Sequence, residues 1–258
     1  MHASDADSTK LESIVSKVPR ALLAFWIIKV LATTLGETGG DALSMTLDLG
    51  YAVSSLIFLG FFAITLAAQL KAKRYHPVFY WAVVVATTTV GTTTSDYMDR
   101  TLGLGYIKSS CMLLAAIIAV LILWHFATGK IAVDRVITRK TEIFYWVTIL
   151  ISNTLGTALG DFMASDTGLG FERGTLVFAG LIALVALAYF FTRIPKSVLF
   201  WSAYVLTRPL GATLGDTLTK PREEGGLAFG RFTASLTIAA AMVIIIALTS
   251  RQERPKDA

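Results

Sequence analysis

The sequence predicts an all-α polytopic membrane protein, with eight transmembrane helices arranged as four parallel two-helix repeats in two pseudo-symmetric halves. Three observations carry this expectation. The chain of 258 residues is 54% hydrophobic and only 16% charged, with a mean hydropathy of +0.64, more apolar surface than one soluble core consumes. Eight apolar stretches follow one another, each close to the ~20 residues that span hydrocarbon as a helix. At four places an aromatic-Trp pair is followed, at constant spacing, by a Gly, a second small residue and an Asp, the mark of an internally copied unit.

The expected spans are 20–40, 50–70, 78–97, 106–126, 142–163, 174–192, 196–217 and 229–249. Residues 1–19 read as a polar cytoplasmic tail without the apolar core and cleavage site of a removed signal peptide. Residues 20–250 form one transmembrane domain, with repeats near 20–74, 75–130, 140–194 and 195–250, and residues 251–258 form a second tail. Lys and Arg crowd alternate connections, at Lys10, Lys17 and Arg20, at Lys71, Lys73 and Arg74, at Lys130, Arg135, Arg139 and Lys140, at Arg193 and Lys196, and at Arg251, Arg254 and Lys256. The opposite connections hold only Arg100, Lys108, Arg173, Lys220, Arg222 and Arg231. Positive residues stay on the cytoplasmic side, so both termini are expected there and the Asp motifs toward the outer half. Orientation and anionic headgroups account for the net charge of +5, which makes the lipid bilayer the expected partner and calls for no nucleic acid. A lone Cys111 excludes an intramolecular disulfide.

The four copies run from Phe25-Trp26 to Gly36, Gly40 and Asp41, from Tyr80-Trp81 to Gly91, Ser95 and Asp96, from Tyr145-Trp146 to Gly156, Gly160 and Asp161, and from Phe200-Trp201 to Gly211, Gly215 and Asp216. Their first glycines lie 55, 65 and 55 residues apart, so two-span units nest in halves offset by 120. A unit with an even number of spans returns the chain to its starting side, which makes the repeat a parallel one. The Trp residues read as interfacial anchors, with each Asp about 22 Å further along its helix. Small residues four apart (Gly36 and Gly40, Gly91 and Ser95, Gly156 and Gly160, Gly211 and Gly215) are the pattern that lets membrane helices approach closely. On an adjoining face lie Glu37 and Thr34 below Asp41, Thr92 and Thr89 below Asp96, and Thr157 and Thr154 below Asp161. The fourth copy departs, with Ala212 and Pro209 there and Arg208 in the slot of Thr33, Thr88 and Asn153; Pro209 is expected to kink its span. After each motif comes Leu49-Gly50-Tyr51, Leu104-Gly105-Tyr106, Leu169-Gly170-Phe171 or the looser Leu227-Ala228-Phe229, whose Gly reads as the hairpin's return turn.

Carried by Trp26, Trp81, Trp146 and Trp201, and extending from about Pro19 to Thr249, this pattern resembles a bacterial membrane-protein family of four tandem two-helix repeats, each with a characteristic tryptophan. That family's name records a repeat of no assigned function. The resemblance implies the fold and a place in the bacterial inner (cytoplasmic) membrane, and it implies no activity.

Chemistry has to be read from the charges. An ionisable group inside a membrane costs about 2.5–3.5 kcal/mol on insertion scales, so Asp41, Asp96, Asp161 and Asp216 need compensation. Counting Glu37, five acids face two candidate counter-charges on these spans, Lys29 and Arg208, with Arg208 expected to neutralise Asp216. The surplus favours a bound cation or proton. His2, His76 and His125 lie away from the motifs and no Cys joins them, which argues for a hard, oxygen-liking ion, manganese before magnesium or calcium. The leading expectation is an inner-membrane transporter, an exporter, of a hard divalent cation. Its ligands would be Asp41, Asp96, Asp161 and Asp216, assisted by Glu37, Thr92, Thr157 and Asn153, with proton coupling chemically available. The ion is substrate, and no cofactor is expected. A transporter or channel for a small organic cation or solute is the alternative, and a scaffold whose Gly-Asp motifs only turn hairpins is a third. No nucleophile triad, metalloprotease helix or nucleotide loop points to an enzyme. Whether the aspartates make one site or two, and the oligomeric state, stay open at this level.

Overall fold

A computed structural model describes Pro19 and residues 22–72, 74–129 and 138–252; most of both expected tails lies outside the described residues. Its eight long helices are α1 (Leu23–Asp41), α2 (Gly50–Lys71), α3 (Pro77–Asp96), α4 (Tyr106–Thr128), α5 (Arg139–Asp161), α6 (Gly170–Phe191), α7 (Lys196–Thr219) and α8 (Arg231–Gln252). Each expected span corresponds to one of these helices over its described residues, with residues 20 and 21 of the first lying outside them. Five are both long and apolar enough to cross a membrane: α2, α4, α5 with its following turn, α6 and α8. The remaining three, α1, α3 and α7, carry the residues that lower hydropathy, among them Lys29, Glu37 and Asp41, a run of threonines from Thr87 to Thr94, and Arg208.

That division has a structural cause. Helices α1, α3, α5 and α7 pack as a closed ring, each against the next and α7 against α1, while α2, α4, α6 and α8 lie outside. Each outer helix rests chiefly on the inner helix of the following repeat: α2 on α3, α4 on α5, α6 on α7, and α8 back on α1. Outer faces bearing Leu56, Ile64, Leu114, Leu123, Phe190, Leu236 and Val243 are exposed. Apolar surface on this scale belongs in lipid, and the chain is a membrane protein.

The seams of the ring are made at the glycines, as the small-residue spacing predicts. Gly36 lies against Thr88, Gly91 against the Asn153–Thr154 backbone, Gly156 against Arg208 and Pro209, and Gly211 against Thr33. Gly40, Gly160 and Gly215 follow suit one turn on, against Thr92, Ala212 and Glu37. Ser95 is buried and donates to Asp99 at 3.2 Å. Hydroxyls then cross the seams: Thr88 donates to the Ala32 carbonyl at 3.1 Å, Thr92 to that of Gly36 at 3.2 Å, and Thr33 to that of Thr207 at 3.1 Å. A backbone carbonyl already bonded within its helix has a second lone pair for such a donor.

One expectation is corrected. Trp81 and Trp146 are buried and Trp26 and Trp201 partly so, all within one aromatic cluster with Phe25, Tyr80, Tyr145, Phe200 and Tyr204. Ring centroids there stand 5.6 Å apart for Phe25 and Trp81 and 5.5 Å for Tyr80 and Trp146. The aromatic pairs therefore fill one end of the ring instead of forming an interfacial belt, because inward-facing rings bury more apolar area than headgroup contacts would. Helix α7 runs through Pro209 to Thr219, and the Pro209 ring packs over the gap left by Gly156.

At the opposite end the hairpins turn. Gly50, Gly105 and Gly170 have φ of +72°, +72° and +77°, the left-handed region in which glycine is preferred, and Ala228 adopts +58° in the fourth copy. Leu-Gly-aromatic is thus the return-turn signal it was read to be.

An ion-paired carboxylate cluster as candidate functional site

Each of the first three aspartates is the last residue of its α-helix, and the chain continues from it into one π-helical turn, at 42–46, 97–101 and 162–166. Bonds five residues apart hold these turns, from Leu47 N–H to the Ala42 carbonyl, Leu102 to Tyr97 and Thr167 to Phe162. The fourth copy instead keeps its helix past Asp216 to Thr219 and ends with the Lys220 N–H on the Asp216 carbonyl at 2.8 Å. Asp41, Asp96, Asp161 and Asp216 are all buried, at 1–2% exposure. Their side chains make no helix-cap hydrogen bond and face no open solvent.

Two cations gather them into pairs. Lys220 Nζ lies 3.2 Å from Asp41 Oδ2 and 3.3 Å from Asp216 Oδ1. Arg100 Nε lies 3.1 Å from Asp96 Oδ1, and its Nη2 lies 3.6 Å from Asp161 Oδ2. Arg231, from the start of α8, approaches Asp41 at 3.5 Å. The quartet is therefore two bridged pairs. Among the described residues, one group of carboxylates is tight enough to share an ion: Glu37, Asp41 and Asp216, with an oxygen from each within 4.8 Å of the others. Asp96 and Asp161 stand outside that group. Among the described residues neither oxygen of Asp216 accepts a hydrogen bond, and the Lys220 ammonium is its ion-pair partner.

One turn deeper sits Arg208, fully buried, and its partner differs from the expected Asp216. Nη2 bonds Glu37 Oε2 at 3.1 Å, Thr92 Oγ1 at 2.6 Å and the Thr157 hydroxyl. The reason lies in the register. Glu37, Thr92 and Thr157 occupy three corresponding positions of the ring, and the fourth is the small Ala212, so the guanidinium reaches up from the layer below into that level. Thr92 also donates to Glu37 at 3.1 Å. Lys29 departs further from expectation: it is buried, touches no carboxylate among the described residues, and holds its ammonium 4.4 Å over the Tyr204 ring. Asn153 Nδ2 donates to Thr87 Oγ1 at 3.0 Å in a ring seam, away from the carboxylates. Thr34, Thr89 and Thr154 spend their hydroxyls on carbonyls of their own helices, those of Val30, Val85 and Leu150, so the oxygen stripe narrows to Glu37, Thr92 and Thr157.

Arg100, Lys220 and Arg231, which the sequence places in connections, join the cluster as its cations. A signal for the first two exists: each follows its Asp by four residues, the spacing of a helical ion pair. Aromatic residues of the return-turn motif hold these cations. Tyr51 accepts from Arg100 Nη1 at 3.2 Å, and the Phe171 ring lies 6.0 Å from Lys220 Nζ. In charge terms, five carboxylates are met by four cations within ion-pair distance, Arg100, Arg208, Lys220 and Arg231.

A ring of polar helices sheathed by apolar ones, with buried ion pairs at the end of each inner helix, defines a membrane protein built by internal duplication. Four successive stretches, residues 24–75, 79–130, 144–194 and 199–255, match the model of the Repeat of Unknown Function (DUF347). The chain belongs to that family. No curated protein and no solved structure matches it.

Proposed function

We propose that the chain is a membrane transporter that carries a hard divalent cation, manganese in the first place, with Glu37, Asp41 and Asp216 as its binding carboxylates and Lys220 as the resident cation that the substrate replaces. In this reading all eight helices cross a bacterial inner membrane as four parallel hairpins with cytoplasmic termini, and the protein exports its ion. The observation that carries the reading is the Lys220 ammonium between two buried aspartates from opposite ends of the chain, with Glu37 alongside. With Lys220 swung away, five carboxylates face the three guanidiniums of Arg100, Arg208 and Arg231, leaving two negative charges, those that one divalent ion neutralises. Carboxylate and hydroxyl oxygens suit a hard ion. Arg100 and Arg231 are part-exposed, with 30% and 22% of their side chains accessible, so water reaches the site from the hairpin end. The aromatic cluster closes the other, and passage requires the inner helices to part there.

One observation also favours a primary amine as cargo, since the Lys220 ammonium occupies the place such a substrate would take. Flux into proteoliposomes separates the two. Wild type is expected to move Mn²⁺ and Asp216→Asn to lose at least nine-tenths of that rate, with folding checked by elution profile. Unchanged Mn²⁺ flux in the variant defeats the cation site, and flux of a labelled diamine without Mn²⁺ flux transfers it to amines.

A further inference from the structure

We infer that a small monovalent anion of the halide class binds inside the ring between Lys29 and Arg208, at a site separate from the carboxylate cluster and independent of what that cluster carries. Lys29 and Arg208 are both buried, at 0% and 1% exposure. The Lys29 ammonium has no hydrogen-bond partner among the described residues, and neither do Nε and Nη1 of Arg208. Only the third nitrogen of Arg208 is engaged, on the side of Glu37. Two buried basic side chains thus hold three unsatisfied donors, and among the described residues no carboxylate lies within ion-pair distance of Lys29.

They are neighbours. Thr33, one turn above Lys29 on α1, donates to the carbonyls of Lys29 and of Thr207, the residue before Arg208 on α7. Tyr204, one turn before Arg208 on the same helix, presents its ring face to the ammonium. Tyr80 and Tyr145, whose hydroxyls lie 3.3 Å apart, adjoin Tyr204. A buried pair of like charges with free donors is stable when an anion sits between them, and the carboxylate that Arg208 does meet, Glu37, engages Nη2 and leaves Nε and Nη1 free. Hemmed between the aromatic cluster and the Glu37–Thr92–Thr157 level, the place suits a monatomic ion.

The test uses the full chain in lipid nanodiscs with a chelator present, so that divalent ions play no part and failure of the cation reading leaves it untouched. Unfolding temperature is followed as sodium bromide replaces sodium gluconate at constant pH and ionic strength. Wild type is expected to rise saturably by several degrees, Lys29→Arg to keep the rise, and Lys29→Met to lose it. Equal stability of wild type in the two salts, or a rise retained in Lys29→Met, overturns the site. Should Lys29→Met not fold, anomalous scattering from wild-type crystals grown in bromide decides: a peak between Lys29 and Arg208 supports the inference, and its absence there overturns it.

Discussion

Replacing Arg208 by Met lowers stability by about 3–5 kcal/mol, the range for removing one member of a buried ion pair. The loss comes from what is left behind. Glu37 is 2% exposed and shares Arg208 Nη2 with Thr92 and Thr157; without the guanidinium its carboxylate is buried with one hydroxyl donor, Thr92. Methionine fills much of the same volume and lies against Gly156 as the arginine stem does, so a cavity contributes little. The double substitution Arg208→Met with Glu37→Gln removes the stranded charge, and it is expected to recover most of the loss. Urea or SDS unfolding of the three variants measures the coupling. A loss under about 1 kcal/mol for the single variant, or no recovery in the double, contradicts the pairing.

Gly211→Val opens the ring. A Cβ built there would stand 2.2 Å from Thr33 Oγ1 and 2.8 Å from the Thr33 backbone carbon. A hydroxyl can turn aside, whereas a backbone atom moves only if α7 and α1 separate. Overpacking costs typically 1–3 kcal/mol and occasionally more, and at this seam, where the clash includes backbone, the upper part of that range is expected. Thr33→Ala restores only part of it, because the backbone contact stays. Gly60, on outer helix α2 with nothing within 4 Å of such a Cβ, provides the contrast: Gly60→Ala is expected to be neutral or to stabilise by up to about 1 kcal/mol through helix propensity. Unfolding of both variants in one detergent checks the difference, and equal effects contradict a ring closed at Gly211.

What could be read in advance follows from which interactions are periodic. Trp, Gly and Asp recur at fixed spacing, and that spacing placed the eight helices, the close seams at Gly36, Gly91, Gly156 and Gly211, and the burial of four aspartates. Departures from the repeat were the hard part. Arg208 pairs across 171 residues with Glu37, and Lys220 across 179 with Asp41; both partners belong to other copies, so no local window contains them. Arg100 and Lys220 were hidden differently, since charges in short connections are ordinarily solvated, and only the π-helical and helical extensions past Asp96 and Asp216 turn them inward. Lys29 stands apart for a third reason: it lies three turns from Asp41 on one continuous helix, a distance that the helix does not shorten.

The electron paramagnetic resonance signal of Mn²⁺ titrated into purified wild type and Asp216→Asn bears most directly on the carboxylate cluster. Free aqueous Mn²⁺ gives a sharp signal that is lost on binding, so it counts bound ions without needing turnover. Wild type should remove one ion per chain from the free signal, and Asp216→Asn should leave it in solution. Identical curves for the two proteins, or no binding to wild type at all, would mean that Lys220 is a permanent counter-ion and that Glu37, Asp41 and Asp216 hold the helices together without receiving a guest.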